Sequence, residues 1–377
     1  MFLERDITGQ IIDSLKPNKV VLILGARRTG KTELMNHILN SVKEKTLILN
    51  GDDLSSHSLL EERTAENYIS LLGDNKIIAI DEAQKIDNIG LKLKLMVDTV
   101  PSIKILASGS SAFDLSNKLG EPLTGRKRTF KLFPFSQSEY SKVESIVETK
   151  SRLKERLVFG CYPELLELKS RNEKSAYLSE LVNSYLLKDI LEFDGIRNAK
   201  KILDLLKLIA YQIGKEVSLS ELGNNLGLHK DTVAKYLDLL SKVFVVYRLD
   251  GYSKNLRKEV SKMSRWYFYD NGIRNAIINN LNDLSLRNDQ GDLWENYILS
   301  ERVKYQNYNN LLVSNYFWRT YQKQEIDWIE EREGQLYASE VKWNSKKLAR
   351  VPKTFMDAYP ESEFQIINPD NYLKWIL

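Results

Sequence analysis

Gly25-Ala-Arg-Arg-Thr-Gly-Lys-Thr32 is the stretch on which the reading of this chain turns. The apolar, β-branched run Lys19-Val-Val-Leu-Ile-Leu24 precedes it, and Glu33-Leu-Met-Asn-His-Ile-Leu-Asn-Ser-Val42 follows with helical apolar spacing. Strand, glycine-bounded loop and helix in that order are the context the phosphate-loop pattern GxxxxGK[ST] requires. Gly25 and Gly30 let backbone N–H groups across Ala26, Arg27, Arg28 and Thr29 turn toward an anion. The helix start at Lys31, Thr32 and Glu33 adds partial positive charge. Lys31 is expected to reach the β- and γ-phosphates of a nucleotide, and the Thr32 hydroxyl to bind Mg²⁺.

Working outward, Lys76-Ile-Ile-Ala-Ile-Asp-Glu-Ala-Gln84 reads as a buried strand ending in an acidic pair. Asp81 is expected to hold Mg²⁺ through water, and Glu82 to orient and polarise the water that attacks the γ-phosphate. Thr46-Leu-Ile-Leu-Asn-Gly-Asp-Asp53 and Ile103-Lys-Ile-Leu-Ala-Ser-Gly-Ser110 supply two more strands. Ser110 falls where a γ-phosphate sensor belongs in ATPases that insert a strand between phosphate loop and acidic strand; a plain strand-to-loop serine is the alternative. Strands alternating with helices predict a parallel sheet with its ligand at the carboxyl ends.

GARRTGKT, IIAIDEAQ, LASGSS, LTGR (123–126), LFPFSQSEY (132–140) and GCYPE (160–164) occur in that order. This ordered set resembles the prokaryotic AAA-type ATPases whose C-terminal half is catalogued as a domain of unknown function. The resemblance spans essentially the whole chain and implies ATP and Mg²⁺ as cofactors. It also implies an arginine that acts across a subunit interface of a homo-oligomer: Arg126 matches, with Arg128 a near alternative. Pro163 lies in the turn that, by the same resemblance, touches the adenine. The family usually has a second glycine where this chain has Cys161.

Residues 141–193 read as helical, a lid over the nucleotide, with Leu178, Leu181, Val182, Tyr185 and Leu186 forming one apolar stripe. Ser218 to Gly227, a turn, a helix from Asp231 to Val243, a strand and the basic stretch Gly251 to Lys258 then read as a winged helix-turn-helix. From Lys200 to Lys262 there are twelve Lys and Arg against seven Asp and Glu, while the whole chain carries only +4. Lys230, Thr232, Lys235 and Tyr236 are expected to face a major groove, with Arg257 and Lys258 toward phosphates. Packing or partner docking is the competing use of such a domain.

In the last third, Glu295 sits on an amphipathic helix, Asp327 on a strand, and Glu340 and Lys342 two apart on another. Residues two apart on a strand share a face. A hairpin turning at Glu333-Gly334 would bring Asp327, Glu340 and Lys342 together. That is the D…ExK arrangement of the PD-(D/E)xK nuclease-like superfamily, and it matches the C-terminal domain of the family above. Asp327, Glu340 and Glu295 are the candidate metal ligands, and Lys342 would position the nucleophile or neutralise developing charge.

The chain has 377 residues, 42% apolar and 28% charged, the balance of an ordinary globular protein rather than a disordered or collagen-like one. Its one cysteine excludes an internal disulfide and a zinc ribbon. Glu4 and Asp6 stand where a signal peptide would be basic and apolar, and no window reaches the length of a membrane span. The expectation is a cytoplasmic α/β protein without membrane contact, in four parts. These are a P-loop NTPase parallel sheet (1–140), a helical lid (141–199), a winged helix-turn-helix (200–262) and an α/β restriction-endonuclease-like domain (263–377). Its nucleotide state would control either engagement of DNA or RNA, with or without Mg²⁺-dependent cleavage, or the docking of a protein partner by an inactive nuclease-like domain.

Overall fold

The computed structural model of the chain describes residues 3–110, 123–186, 199–253, 264–320, 322–345 and 350–377. It divides into two compact units, Met1–Phe133 with Lys242–Phe244, and Pro134–Ser241 with Val245–Leu377.

The first unit is built on β1 (Lys19–Leu24), β2 (Thr46–Asn50), β3 (Ile77–Asp81), β4 (Lys104–Gly109) and β5 (Lys127–Lys131). They lie in the order β2-β3-β4-β1-β5, every neighbouring pair parallel. Central strands of a parallel sheet bury both faces, which is why β1, β3 and β4 read as continuous apolar runs rather than alternations. Val20, Leu22, Ile78, Ile80 and Ile105 form the core with Tyr68, Leu93 and Met96 from the helices Ala65–Leu72 and Ile89–Thr99. Because all strands run the same way, the residues that follow β1, β2, β3 and β4 emerge along one edge.

The second unit begins with helices, Gln137–Tyr140, Ile146–Phe159, Arg171–Glu180, Ala199–Tyr211, Leu219–Leu226 and Lys230–Lys242 among them. Its sheet combines β6 (Glu216–Val217), β7 (Val246–Gly251), β8 (Ser264–Phe268), β9 (Ser314–Arg319), β10 (Glu325–Arg332), β11 (Gln335–Val341) and β12 (Glu363–Ile367). The order is β12-β11-β10-β9-β7-β8-β6. β7 pairs in parallel with β9 through Asp250 opposite Tyr316, so residues expected in two separate domains share one sheet. The β10–β11 hairpin turns at Glu333 and Gly334, both at positive φ (50° and 81°), as a two-residue hairpin loop demands. Tyr236 does not face outward as expected. It falls on the apolar stripe of its helix with Val233, Leu237 and Leu240 and is buried. Arg257 and Lys258 lie outside the described residues.

Two of the sequence motifs prove to be joints of this unit. In LFPFSQSEY, Ser136 and Glu139 form a reciprocal capping box at the helix Gln137–Tyr140. The Gln137 backbone N–H donates to Glu301 (2.6 Å), and its side-chain oxygen accepts from Arg156 (2.8 Å) and the Tyr297 hydroxyl (3.0 Å). Lys304 donates to the Phe135 carbonyl (3.1 Å) and pairs with Glu301 (2.7 Å). Burial opposes the Lys304 charge, but Glu301 outweighs it and holds its pKa above the usual lysine value. In GCYPE, the Cys161 N–H donates to Asp270 (2.7 Å). The close approach is made at Gly160, φ 75°, where a Cβ would stand 2.0 Å from the Asp270 carboxylate. Position 161 therefore has room for a side chain, and the thiol is buried.

Burial pushes the Cys161 thiol up to about 12. The native protein should therefore leave a disulfide exchange reagent unreacted at pH 8, while in guanidinium one thiol per chain should react promptly.

Candidate functional site

In the first unit, the loop after β1 turns into the helix Lys31–Ser41 at Gly30, φ 90°. Lys31 is 5% exposed, and its ammonium donates to the carbonyls of Gly25 (3.0 Å) and Ala26 (2.9 Å). The Thr29 hydroxyl donates to Ala26 (2.8 Å). The Thr32 hydroxyl donates to Asp81 at 2.6 Å. Asp81 ends β3, and its other carboxylate oxygen accepts from the Ser108 hydroxyl and from the Glu82 N–H (3.1 Å). Glu82 sits at φ 47°, and its carboxylate accepts from Gln84 (2.5 Å). The structure thus gathers Lys31, Thr32, Asp81 and Glu82 at the same edge of the sheet.

Ser110 follows β4, 2% exposed, its hydroxyl without a hydrogen-bond partner among the described residues. An orphaned buried hydroxyl beside the loop, a threonine–aspartate pair and a lysine curled over the loop are donor chemistry that fits a Mg²⁺–nucleotide. Ala26 and Arg27 are partly buried, while Arg28 and Glu33 are exposed. Arg126 lies elsewhere. It precedes β5, its carbonyl accepting from Val20 at the start of β1, so it stands at the opposite edge of the sheet from the loop. Its guanidinium pairs with Asp98, while that of Arg128 lies over the Phe130 ring (5.1 Å). Pro163 opens the short helix Pro163–Leu166 in the second unit.

Three residues escaped the sequence reading. Ser108, rather than Ser110, bonds Asp81, because alternation along β4 turns both serines to one face but only the inner one is level with the end of β3. Gly51, after β2, carries the Asp81 carbonyl on its N–H (2.8 Å), and a Cβ there would stand 2.2 Å from the Glu82 carbonyl oxygen. Arg5 is buried against the loop at a sequence distance no motif covers.

In the second unit, Asp327 and Glu340 face each other across the β10–β11 hairpin, since Trp328 opposes Ser339. Asp327 is buried and accepts from the Val341 N–H (2.9 Å). Lys342 pairs with Glu340 and lies 4.0 Å from Asp327. From β8, Arg265 pairs with Glu325 (2.7 Å) and lies 3.7 Å from Asp327, its Nε buried and without a partner among the described residues. Glu295 accepts from the Tyr267 hydroxyl (2.7 Å). Burial and then the Asp327 charge push its carboxyl up to about 8. Burial likewise raises Asp327 and Glu340. Lys342 is raised too, because Asp327 and Glu340 outweigh its burial. Among the described residues, no group of three or more His, Cys, Asp or Glu side chains is arranged to hold a metal ion.

Residues 17–141 match the family model described as an AAA domain. Residues 150–284 and 290–372 match two domains of unknown function, DUF8612 and DUF4143. An uncharacterized protein of Mycobacterium tuberculosis is 28% identical over 353 residues, 92% of this chain and 75% of its own. One of Methanocaldococcus jannaschii is 26% identical over 318 residues, 79% of this chain and 69% of its own. Among solved structures, the Thermotoga maritima RuvB Holliday junction branch migration motor aligns at 17% identity, covering 66% of this chain and 90% of that one. The TM-score of that alignment is 0.33. The match and the sheet together make the first unit an AAA-type P-loop domain, and the chain ATPase-like. Among the described residues, no helix is long and apolar enough to cross a membrane.

Two measurements follow from this geometry. Gly51→Ala should force the Glu82 backbone aside, leaving ATP binding in place while turnover drops by roughly a hundredfold. Equal losses in binding and turnover would show that Gly51 does not act through Glu82. Second, folded Glu295 keeps its proton to about pH 8, whereas the unfolded side chain releases it near 4.5. Its stabilisation is therefore complete below the unfolded value and is lost as pH rises through the folded one. Relative to Glu295→Gln, wild type should lose unfolding free energy in urea between pH 5 and pH 8.

Proposed function

We propose that the chain is a Mg²⁺-dependent ATPase whose nucleotide state governs how its second unit engages DNA or RNA. The observation that carries the nucleotide half is the Thr32–Asp81 hydrogen bond, which joins the start of the loop helix to the acidic strand. When bound, Mg²⁺ supplies charge neutralisation at the β- and γ-phosphates. Thr32 and Asp81 would hold it, and the loop amides with Lys31 would cradle the phosphates. Glu82, steadied by Gln84, would orient the attacking water, and the Ser110 hydroxyl would donate to the γ-phosphate. Arg126 stands at the opposite edge of the sheet from its own loop, so it could serve only a neighbour's nucleotide in a homo-oligomer.

Two features support the nucleic-acid half. Three helices followed by β7 and β8 have the order of a winged helix, with Lys230 and Lys235 exposed on the third, Lys230–Lys242. The helix Gln290–Tyr308, the antiparallel β9–β10–β11, the helix Lys353–Ala358 and the parallel β12 have the order of a nuclease-like fold.

The three-carboxylate metal centre expected of Glu295, Asp327 and Glu340 does not fit. Among the described residues these carboxylates are not arranged to hold a metal ion, and Lys342 already pairs with Glu340 and, beside Arg265, with Asp327. We assign the cluster no cleavage step. This favours a second reading, in which an inactive nuclease-like domain docks a protein partner.

Lys31→Ala should abolish ATP binding, and Glu82→Gln should keep binding while slowing turnover by at least about a hundredfold. Duplex, single-stranded and branched DNA and RNA, incubated with Mg²⁺ or Mn²⁺ and with or without ATP, should bind with steep salt dependence and remain uncut. Cleavage lost in Glu340→Ala would restore the metal centre. Failure to bind any of them at low salt would leave the docking reading.

A further inference from the structure

Arg5 is 3% exposed and lies just ahead of the helix Thr8–Ser14. Its guanidinium donates to two carbonyls far from it in sequence, those of Thr29 in the phosphate loop (2.8 Å) and of Phe133. Phe133 is the last residue of the first unit before the chain passes into Pro134. The Leu132 carbonyl beside it lies against the loop's first glycine, where a Cβ on Gly25 would stand 2.2 Å away, and the Leu132 N–H donates to Leu24 (2.7 Å). The loop is therefore braced along 132–133, and Arg5 closes the brace.

We propose that Arg5 is a positioning residue of the phosphate loop. In a planar trans peptide the C=O and the next N–H point in opposite directions. Holding the Thr29 carbonyl on Arg5 aims the Gly30 N–H the other way, toward the concave side of the loop where an anion sits. A forked, permanently charged guanidinium can hold two carbonyls at once; an ammonium is a single point donor. The Phe133 end fixes Arg5 itself, so the peptide is aimed before any ligand arrives and binding does not have to order it.

This rests on the ATP reading above, so the experiment has two arms. Binding of a fluorescent ATP analogue with Mg²⁺ is compared in wild type, Lys31→Ala, Arg5→Met and Arg5→Lys. Amide hydrogen exchange at Gly30 and Lys31 is followed in the same proteins without nucleotide. Arg5→Met should bind about tenfold or more weakly and Arg5→Lys should recover part of the loss. Loop exchange should speed up in Arg5→Met while the amides of β1 stay protected. A folded Arg5→Met with unchanged affinity, or with unchanged loop exchange, overturns the proposal. If Arg5→Met does not fold, Arg5→Lys carries the same comparison, and wild-type affinity and loop exchange retained there overturn it. If wild type itself binds no nucleotide, the ATP reading falls, and loop exchange still decides the role of Arg5.

Discussion

The hydrogen bond between Thr32 and Asp81 spans two strands that do not touch. β4 lies between β1 and β3, and at a strand spacing of about 4.8 Å this holds their ends roughly 10 Å apart. The two groups can meet only above the end of β4, so whatever ends β4 must stay low. The sequence there is Ser108-Gly109-Ser110, the smallest set that still supplies hydroxyls. One serine fastens Asp81 from below; the other presents its oxygen to the same space. The order of the sheet, the size of the β4 residues and the reach of Thr32 are thus one constraint seen from three sides.

How much of this was legible depends on range. GARRTGKT and IIAIDE announce themselves because a phosphate loop and an acidic strand end are local: strand, turn and helix signals stand side by side. The D…ExK residues were legible as a hairpin because Glu333-Gly334 is a strong turn signal and the strands are short. Arg5 was not, since its partners lie 24 and 128 residues away and a lone arginine near a chain start has no pattern. Ser108 and Ser110 could not be ranked without knowing where β3 ends beside them. Tyr236 was misread because the second helix was taken for its charges, whereas its 3.6-residue period assigns that tyrosine to the core. The parallel pairing of β7 with β9, joining parts expected to be separate, is long-range and leaves no local mark.

The second unit shows what the remaining motifs are for. A buried lysine, a buried glutamate and a glutamine with its backbone amide engaged would each be costly alone. Together they satisfy one another: Glu301 takes the Gln137 amide and the Lys304 ammonium, and Lys304 also takes the Phe135 carbonyl. Motifs that resemble signatures of an ATPase thus include parts whose role here is to dock one helical segment onto the long helix Gln290–Tyr308. A residue motif can mark a fold joint as readily as chemistry.

The β7–β9 pairing bears on how this chain can be taken apart. A cut near residue 262, where motif boundaries would place one, falls between β7 and β8 and divides the sheet. Either fragment would keep strands whose former neighbours are gone, with unpaired N–H and C=O groups along a raw edge that invites other chains. Dissection guided by motif borders would therefore yield pieces that self-associate, and such clumping would say nothing about the natural assembly. The indivisible piece for recombinant work is the sheet, not the motif.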